Sequence, residues 1–502
     1  PSPVERPFAG DGGQQILDEW AGCCHRLVQS WSNDAQVLIA MAHVWDALAR
    51  SPGAMRVWLA KDQVYALVRD DMLGSLEALP DTVQAPLLRA VVRCVDATRD
   101  GPQASAEHVR SLYYPLIVQA AQARMNAAAL APSPLSIQSA LALWCALAEA
   151  ADPSTSGLVH VHLCTQLPAM TALASHQAAQ ADVQITAMQA MHALLRAAPD
   201  LDAAVLPDLA RYTFVLLESA HACLGNVRDA DATQESVIVT YLHVVEELVR
   251  ACTEAPMLHT WCLRALEIMA PVLSLDVLRI PSISEALATL IHAMLIILRP
   301  ALFASAEGAE AVPNLAAPFD EPCFTRMPAF QLVVRASLYL IGTCDARTES
   351  VASAVAQGLG YVAEGLPSLT SPCPAVQVVM DDAIRQLCLL VFLRPMQPAM
   401  LTPLILALRR TVLSRLDAHA LGGAETLLPS LAASCHTPAY RAAVEQAMQH
   451  VWESRAPPPV PAPTPVMTAR MQAKAEQAAA LALNRTLRPL VQHARQTLRL
   501  HT

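Results

Sequence analysis

Apolar residues return at every third or fourth position through most of this chain, in paired segments separated by proline. In one pair the break is the turn Pro199-Asp200. The stripe before it consists of Val183, Ala187, Ala190, Met191, Leu194 and Ala198, and the stripe after it of Val205, Leu209, Tyr212, Leu216, Ala220 and Cys223. This spacing is typical of amphipathic helices, and proline interrupts a helix because it lacks the backbone N–H. The pair therefore predicts an antiparallel helical hairpin of about forty residues.

Polar side chains of the first helix are expected on its other faces. They are Asp182, Gln184, Gln189 and Arg196. The same arrangement recurs further along the chain, where a helix from Val376 to Leu390 stops at Arg394-Pro395 and a second apolar stripe runs from Leu404 to Leu416. Repetition of such pairs predicts a series of hairpins.

Composition supports an all-α fold built by stacking. Hydrophobic residues make up 54% of the 502 residues and charged residues only 16%, whereas aromatic residues make up 4% and glycine is rare. Because single cores rarely grow beyond about 250–300 residues, a uniformly patterned chain of this length favours hairpins that cover one another's apolar faces. The sequence predicts an all-α solenoid of stacked antiparallel helical hairpins.

Periodicity and proline content divide the chain into six segments. They are a disordered N-terminal segment at 1–13, a first solenoid arm at 14–303, a surface loop at 304–328, a second arm at 329–455, a Pro-rich linker at 456–466 and a basic amphipathic helix at 467–502. The linker sequence favours an extended polyproline spacer.

Charge and cysteine usage limit the environment and the partners. The net charge of −10 argues against nucleic acid as a partner. The thirteen cysteines form no C-x-x-C pair, which is typical of small buried hydrophobic residues in a reducing compartment. The longest apolar stretch, Leu287 to Leu298, is shorter than the ~20 residues of a membrane span. These features predict a soluble cytoplasmic protein.

Nucleotide-binding and catalytic motifs are not recognisable, so we expect neither a cofactor nor an enzyme. Gly360 and Gly365 have the spacing of P-loop glycines, but Leu366-Pro367 follows where Lys and Ser or Thr are required. Gly358 and Gly360 lack the third glycine of a dinucleotide loop. An enzyme that uses an unrecognised metal site is the remaining catalytic alternative.

The strongest metal-ligand candidates are His160, His162 and Cys164. Their alternation would align three zinc ligands on an extended segment, but in a helix residues two apart point away from each other. Acidic residues 229, 231 and 235 lack the ligand ladder of a calcium loop and predict a solvated turn. Glu246-Glu247 and Asp381-Asp382 are adjacent in sequence, and in a helix they are not a general acid/base pair.

The C-terminal region offers two candidate interaction motifs. Arg455, Pro458 and Pro461 fit an R-x-x-P-x-x-P ligand of SH3-type grooves, although a plain spacer also explains them. Beyond the linker, basic residues lie beside apolar ones in a helical pattern. The basic residues are Arg470, Lys474, Arg485, Arg488, Arg495 and Arg499. Such a helix suits an anionic membrane, a groove in a partner protein, or the final cap of the solenoid.

Residues 187–217 resemble a HEAT repeat, with an apolar helix, a Pro-Asp turn and a second helix that opens with Leu-Pro. A similar Leu-Pro sequence occurs at Leu428-Pro429. The chain as a whole resembles HEAT/armadillo-type proteins, and among them the HEAT-repeat accessory proteins of clathrin adaptors, where hairpins also give way to a Pro-rich basic end. The resemblance implies a non-enzymatic scaffold in vesicular, endosome–Golgi transport that binds proteins along a concave face, with no small-molecule substrate. An importin-β-like nuclear transport receptor is the alternative.

Overall fold

Helices account for all regular structure in the described part of the chain. The computed structural model describes residues 11–50, 52–99, 103–152, 157–224, 231–253, 258–298, 301–302, 329–343, 349–365 and 402–408, and isolated positions between 383 and 496. Within these residues every regular element is helical, which confirms the predicted all-α class. The chain divides into two compact units, residues 1–261 and residues 262–502. The predicted loop 304–328 and linker 456–466 lie outside the described residues.

The first unit consists of helices joined by short turns. The helices are α1 (Asp11–Trp31), α2 (Ala35–Leu48), α3 (Pro52–Leu59), α4 (Asp62–Ala66), α5 (Asp81–Asp96), α6 (Gln103–Leu130), α7 (Pro134–Ala150), α8 (Gly157–Thr165), α9 (Leu167–His176), α10 (Ala181–Arg196), α11 (Leu206–Ala222) and α12 (Ala232–Ala251). Helix α13 (His259–Met269) spans the division between the units. Helix α1 begins at Asp11, inside the 1–13 segment that the sequence predicted to be disordered.

Five helices of the first unit lie side by side, and we call them the row: α2, α5, α7, α10 and α12. Helix α5 contacts both α2 and α7, and α10 contacts both α7 and α12. Helices α6, α9 and α11 pack against the row and against one another: α6 contacts α5, α7 and α9, while α11 contacts α9, α10 and α12. Each helix in the middle of the row is therefore covered on several sides by its neighbours.

The predicted hairpin at 183–223 is confirmed as α10 and α11. Helix α10 ends at Arg196, and Pro199 lies in a 3₁₀ turn before α11. All six residues of the first stripe are buried. Gln184 was predicted to lie on a different face of the helix from this stripe, and its side chain there is fully buried. Its Nε2 donates to the carbonyl oxygens of Ala174 (2.7 Å) and Gln177 (3.2 Å), so it satisfies acceptors at the end of α9.

A π-helical segment, Leu67–Leu73, follows α4 and ends at Gly74. The wider π turn leaves carbonyl oxygens without the usual helical donors, and the Ser75 hydroxyl donates to those of Asp70 (2.9 Å) and Asp71 (2.8 Å). A Cβ atom on Gly74 would lie 2.5 Å from the carbonyl oxygen of Arg69. The backbone around Gly74 thus has no room for a side chain.

In the second unit three long helices pack against one another. This unit includes α14 (Leu275–Leu278), α15 (Pro281–Ile297), α16 (Ala329–Thr343) and α17 (Glu349–Gly365), and α15, α16 and α17 are in mutual contact. Residues 402–408 are also helical. The apolar stretch that begins at Leu287 forms the buried side of α15. In the part of the chain that is described, no helix is both long and apolar enough to span a membrane.

The Gly358-Leu359-Gly360 sequence lies inside α17 and serves helix packing. A Cβ atom on Gly358 would lie 3.0 Å from the Cβ atom of Leu295 on α15, so glycine allows these two helices to approach closely. Gly360 and Gly365 also lie in α17 and do not form a loop. Further on, the isolated positions Ala383, Leu387 and Leu390 of the predicted 376–390 helix are helical and buried.

We predict that Gly74→Ala lowers the free energy of unfolding by about 1–3 kcal/mol, because its methyl group has to displace backbone. Gly22 is the matched control, since it lies in the middle of α1 and an added Cβ there meets only the side chain of Arg26 at 3.6 Å. Gly22→Ala should stabilise α1 by about 0.5–1 kcal/mol. Urea unfolding of both variants measures the difference, and a Gly74→Ala protein as stable as the parent would contradict the packing described for the π segment.

Candidate functional site

Helices α5 and α7 run in the same direction. At their first turns the Ser139 hydroxyl is 3.2 Å from Oδ1 of Asp81, and at their last turns the backbone N–H of Asp152 donates to Oδ2 of Asp96 at 2.7 Å. Asp96 is buried and also accepts from the hydroxyl of Tyr114 on α6. These two hydrogen bonds provide the partners that a buried carboxylate needs. The C-terminal ends of α5 and α7 are thereby joined to the middle of α6.

Charged side chains from the second halves of the row helices lie on one surface, which we call the charged face. Its members are Asp46 on α2, Arg89 and Arg93 on α5, Glu149 on α7, His192 and Arg196 on α10, and His243, Glu246, Glu247 and Arg250 on α12. Consecutive helices are linked by ion pairs: Arg93 to Asp46 at 2.6 Å, and Arg89 to Glu149 at 2.5 Å. All four side chains are partly exposed, so each pair contributes at most about 1 kcal/mol.

The contact between α10 and α12 has a different composition, and we call it the histidine seam. The rings of His192 and His243 meet edge to face with centroids 6.3 Å apart. His192 Nε2 is 3.8 Å from Glu247 Oε1, and His243 Nδ1 is 3.6 Å from Glu246 Oε2. Glu246 also forms an ion pair with Arg250 at 2.6 Å. Two imidazoles and two carboxylates thus lie within a single helix–helix contact.

Burial shifts the pKa values of His192 and Glu247 in this seam. It lowers the pKa of His192, and the positive charges of His243 and Arg196 lower it further. Burial raises the pKa of Glu247, although Arg250 opposes that change. Both shifts favour the neutral form, because a half-buried group loses hydration when it is charged. The adjacent carboxylates Glu246 and Glu247 have different partners, as expected for neighbours on a helix.

The candidate zinc ligands do not converge. His160, His162 and Cys164 lie on α8, where His160 is buried and the other two are partly exposed. Burial lowers the pKa of His162 and raises that of the Cys164 thiol to about 11, although a zinc ligand must be a thiolate. Within the described residues no group of three or more His, Cys, Asp or Glu side chains is placed to hold a metal ion.

The acidic turn before α12 is a helix cap. Asp231 Oδ1 accepts from the backbone N–H groups of Thr233 (2.9 Å) and Gln234 (2.8 Å), and the Gln234 side chain accepts from the backbone of Asp231. This capping box stabilises the first turn of α12. Glu235 lies in that first turn, and Asp229 lies outside the described residues.

Most of the predicted C-terminal motifs lie outside the described residues. This applies to Arg455, Pro458, Pro461, Arg470, Lys474, Arg495 and Arg499, and to Asp381-Asp382. Arg485 and Arg488 are described, and both are helical and exposed. Leu481, one turn before Arg485, is also helical and 52% exposed.

The buried thiols are poor nucleophiles. Burial raises the pKa of Cys24 to about 12, and burial together with Glu149 raises that of Cys145 to about 12. A nucleophilic cysteine needs a lowered pKa, which a neighbouring cation or helix N-terminus supplies. Here Cys145 is 3.6 Å from a Glu149 carboxylate oxygen, and that charge opposes a thiolate.

The charged face was not predicted from the sequence. Its residues lie far apart in the sequence, between positions 46 and 250, and each resembles an ordinary solvated charge on a helix. The sequence feature that could have indicated this face is the position of these residues, all in the second halves of five helices that lie side by side in the row. The sequence matches no protein-family model, and a search of curated proteins finds no match either.

We predict that Cys24 and Cys145 resist alkylation in the native protein near neutral pH, because both are buried and protonated. Cys23, which is partly exposed and lies in the same helix as Cys24, is the internal reference. Iodoacetamide labelling followed by peptide mass spectrometry should modify Cys23 well before Cys24 and Cys145, and denaturant should abolish the difference. Rapid native labelling of Cys145 would instead indicate a reactive thiol on the charged face.

Proposed function

We propose that this chain is a non-enzymatic scaffold, a HEAT- or armadillo-like solenoid that binds other proteins along the charged face. The observation that supports this most is the row itself, in which five helices place polar side chains on one continuous surface. Extended helical arrays use surfaces of this kind for binding. The thiols described above also lack the activation that covalent catalysis requires.

Support for the solenoid arrangement comes from how helices of the first unit cover one another. Helices α10 and α11 form a hairpin whose apolar surfaces also contact α7, α9 and α12, so neither helix is covered without the preceding and following elements. That dependence on sequence neighbours is typical of repeat proteins. The proposal extends this stacking to the whole chain.

A solenoid of 502 residues should be more extended than a globular protein of equal length. A compact chain of this size has a radius of gyration of about 23 Å. We predict that small-angle X-ray scattering of the full chain gives a clearly larger value, with a distance distribution skewed towards long distances. A symmetric distribution at the compact value would contradict the solenoid.

Binding through the charged face is testable by charge reversal. We predict that Arg93→Glu together with Arg196→Glu removes partners that the parent protein retains in affinity purification with quantitative mass spectrometry. Both arginines are at least partly exposed on the row, so their replacement should leave the fold intact. Arg211→Glu is the control, since Arg211 is exposed on α11, which is not a helix of the row and contributes no member of the charged face.

Specific partners should be depleted with the double variant and retained with the control. Equal recovery of partners with the parent protein, the double variant and the control would place binding elsewhere on the chain. Circular dichroism and thermal unfolding of each variant separate a binding defect from a folding defect.

Intracellular transport is the pathway we propose, on the resemblance to HEAT-repeat trafficking scaffolds. In that setting the exposed Arg485 and Arg488, with Leu481 beside them, would add contacts to an anionic membrane at the Golgi or endosomes. Co-purification with a clathrin adaptor would support this assignment.

Nuclear transport is the second candidate because the charge of the chain is unevenly distributed. Residues 1–261 contain 15 of the 34 Lys and Arg residues but 27 of the 44 Asp and Glu residues, so this unit is strongly acidic. An importin-β-like receptor would use such a surface for a basic cargo signal. Binding to Phe-Gly peptides of the nuclear pore, without recovery of an adaptor, would favour this function.

A further inference from the structure

The histidine seam places two titratable rings where two helices of the row meet. His192 and His243 face each other with centroids 6.3 Å apart, and each lies just beyond hydrogen-bond distance of its carboxylate, at 3.8 Å and 3.6 Å. His192 is the more enclosed of the two rings, with 31% of its side chain exposed against 45% for His243. The seam therefore packs when its rings are neutral, without depending on a strong ion pair.

Charges reach His192 from three helices. Helix α7 contributes Glu149, α10 contributes Arg196 on the next turn, and α12 contributes His243 and Glu246. Glu247 and Arg250 of α12 complete the seam. None of the charges that shift the His192 pKa comes from α9 or α11, which also contact α10.

We propose that protonation of His192 loosens the contact between α10 and α12, so that the histidine seam is a pH-sensitive element of the charged face. Histidine is the side chain that gains its charge between pH 8 and 5. The His192 ring is partly buried and lies against the His243 ring, with Arg196 on the next turn. A positive charge on His192 therefore loses hydration at the helix contact and lies close to a second cation.

The carboxylate that lies 3.8 Å from His192 belongs to Glu247. Burial raises the pKa of Glu247, so this carboxylate keeps its negative charge less well on acidification than a solvent-exposed one does. The pKa of His192 is lowered, so the closed seam binds the proton less well than an open seam does. By linkage, the stabilisation from neutral His192 is present above the ordinary histidine pKa and is lost as the pH falls through the lowered value.

Glu247 acts with the opposite sign on overall stability. Its raised pKa means that protonation in the closed seam is favoured, so its own contribution increases on acidification. We therefore expect acid to loosen the seam through His192, with a partial offset from Glu247. This response is a property of the isolated protein, so its failure would leave the proposed scaffold function untouched.

Hydrogen exchange read by mass spectrometry tests the proposal. The full chain is compared at about pH 7.4 and about pH 5.5, with rates corrected for the intrinsic effect of pH. We expect peptides from the second halves of α10 and α12 to lose protection severalfold at the lower pH. Peptides from α5 and α7 should change much less.

His192→Gln should abolish most of that loss, because glutamine occupies similar space and does not titrate. His108→Gln is the matched control, since His108 is exposed on α6 and lies outside the seam. It should behave like the parent protein. An unchanged exchange rate in the parent seam at low pH, or the same loss of protection in His192→Gln, would overturn the proposal.

An independent measurement uses the histidine pKa directly. Removal of the neighbouring cation in His243→Gln should raise the pKa of His192, measured by NMR on protein with isotope-labelled histidine. His243 is nearly half exposed, so this variant keeps the fold even where His192→Gln does not. A His192 pKa that is unchanged or lower in His243→Gln would show that the two rings are not coupled.

Discussion

The structure of the first unit depends on the burial of each row helix between its neighbours. Helix α10 shows this most clearly, since it contacts α7 and α12 within the row and α9 and α11 behind it. Its buried residues include Ala187, Met188 and Ala193, which lie on different sides of the helix. A helix of sixteen residues is marginal by itself in water. Its stability therefore comes from tertiary contacts, and removal of a neighbour would expose apolar surface.

This burial also explains the charged face. A row helix that is covered on most sides leaves only a narrow solvent-exposed strip for charged residues. The exposed strips of neighbouring row helices lie next to one another. Arg93 thus meets Asp46, and Arg89 meets Glu149, although each pair is separated by more than forty positions in the sequence. The alignment of charges follows from how the helices pack and does not require that each ion pair be strong. A continuous polar surface is the result.

Periodicity was sufficient to predict helix class and the α10–α11 hairpin, because apolar spacing and proline act locally. It could not predict that Gln184 is buried, because the two carbonyl oxygens that accept hydrogen bonds from its side chain are brought near only by the tertiary fold. The π segment before Gly74 and the close approach at Gly358 likewise depend on contacts with distant backbone and side chains. The charged face was missed for the same reason, since its members come from five helices.

Apolar and polar contacts along the row differ in strength and in how they respond to pH. Buried leucine or methionine side chains stabilise the packing by about 1.5–3 kcal/mol each, whereas partly exposed ion pairs contribute at most about 1 kcal/mol. The apolar side of α10, with Met188 and Leu195 buried, does not titrate. The proposed change of protonation at His192 acts on a surface that is supported by these uncharged contacts. The packing of the row can therefore persist while the charge at its surface changes.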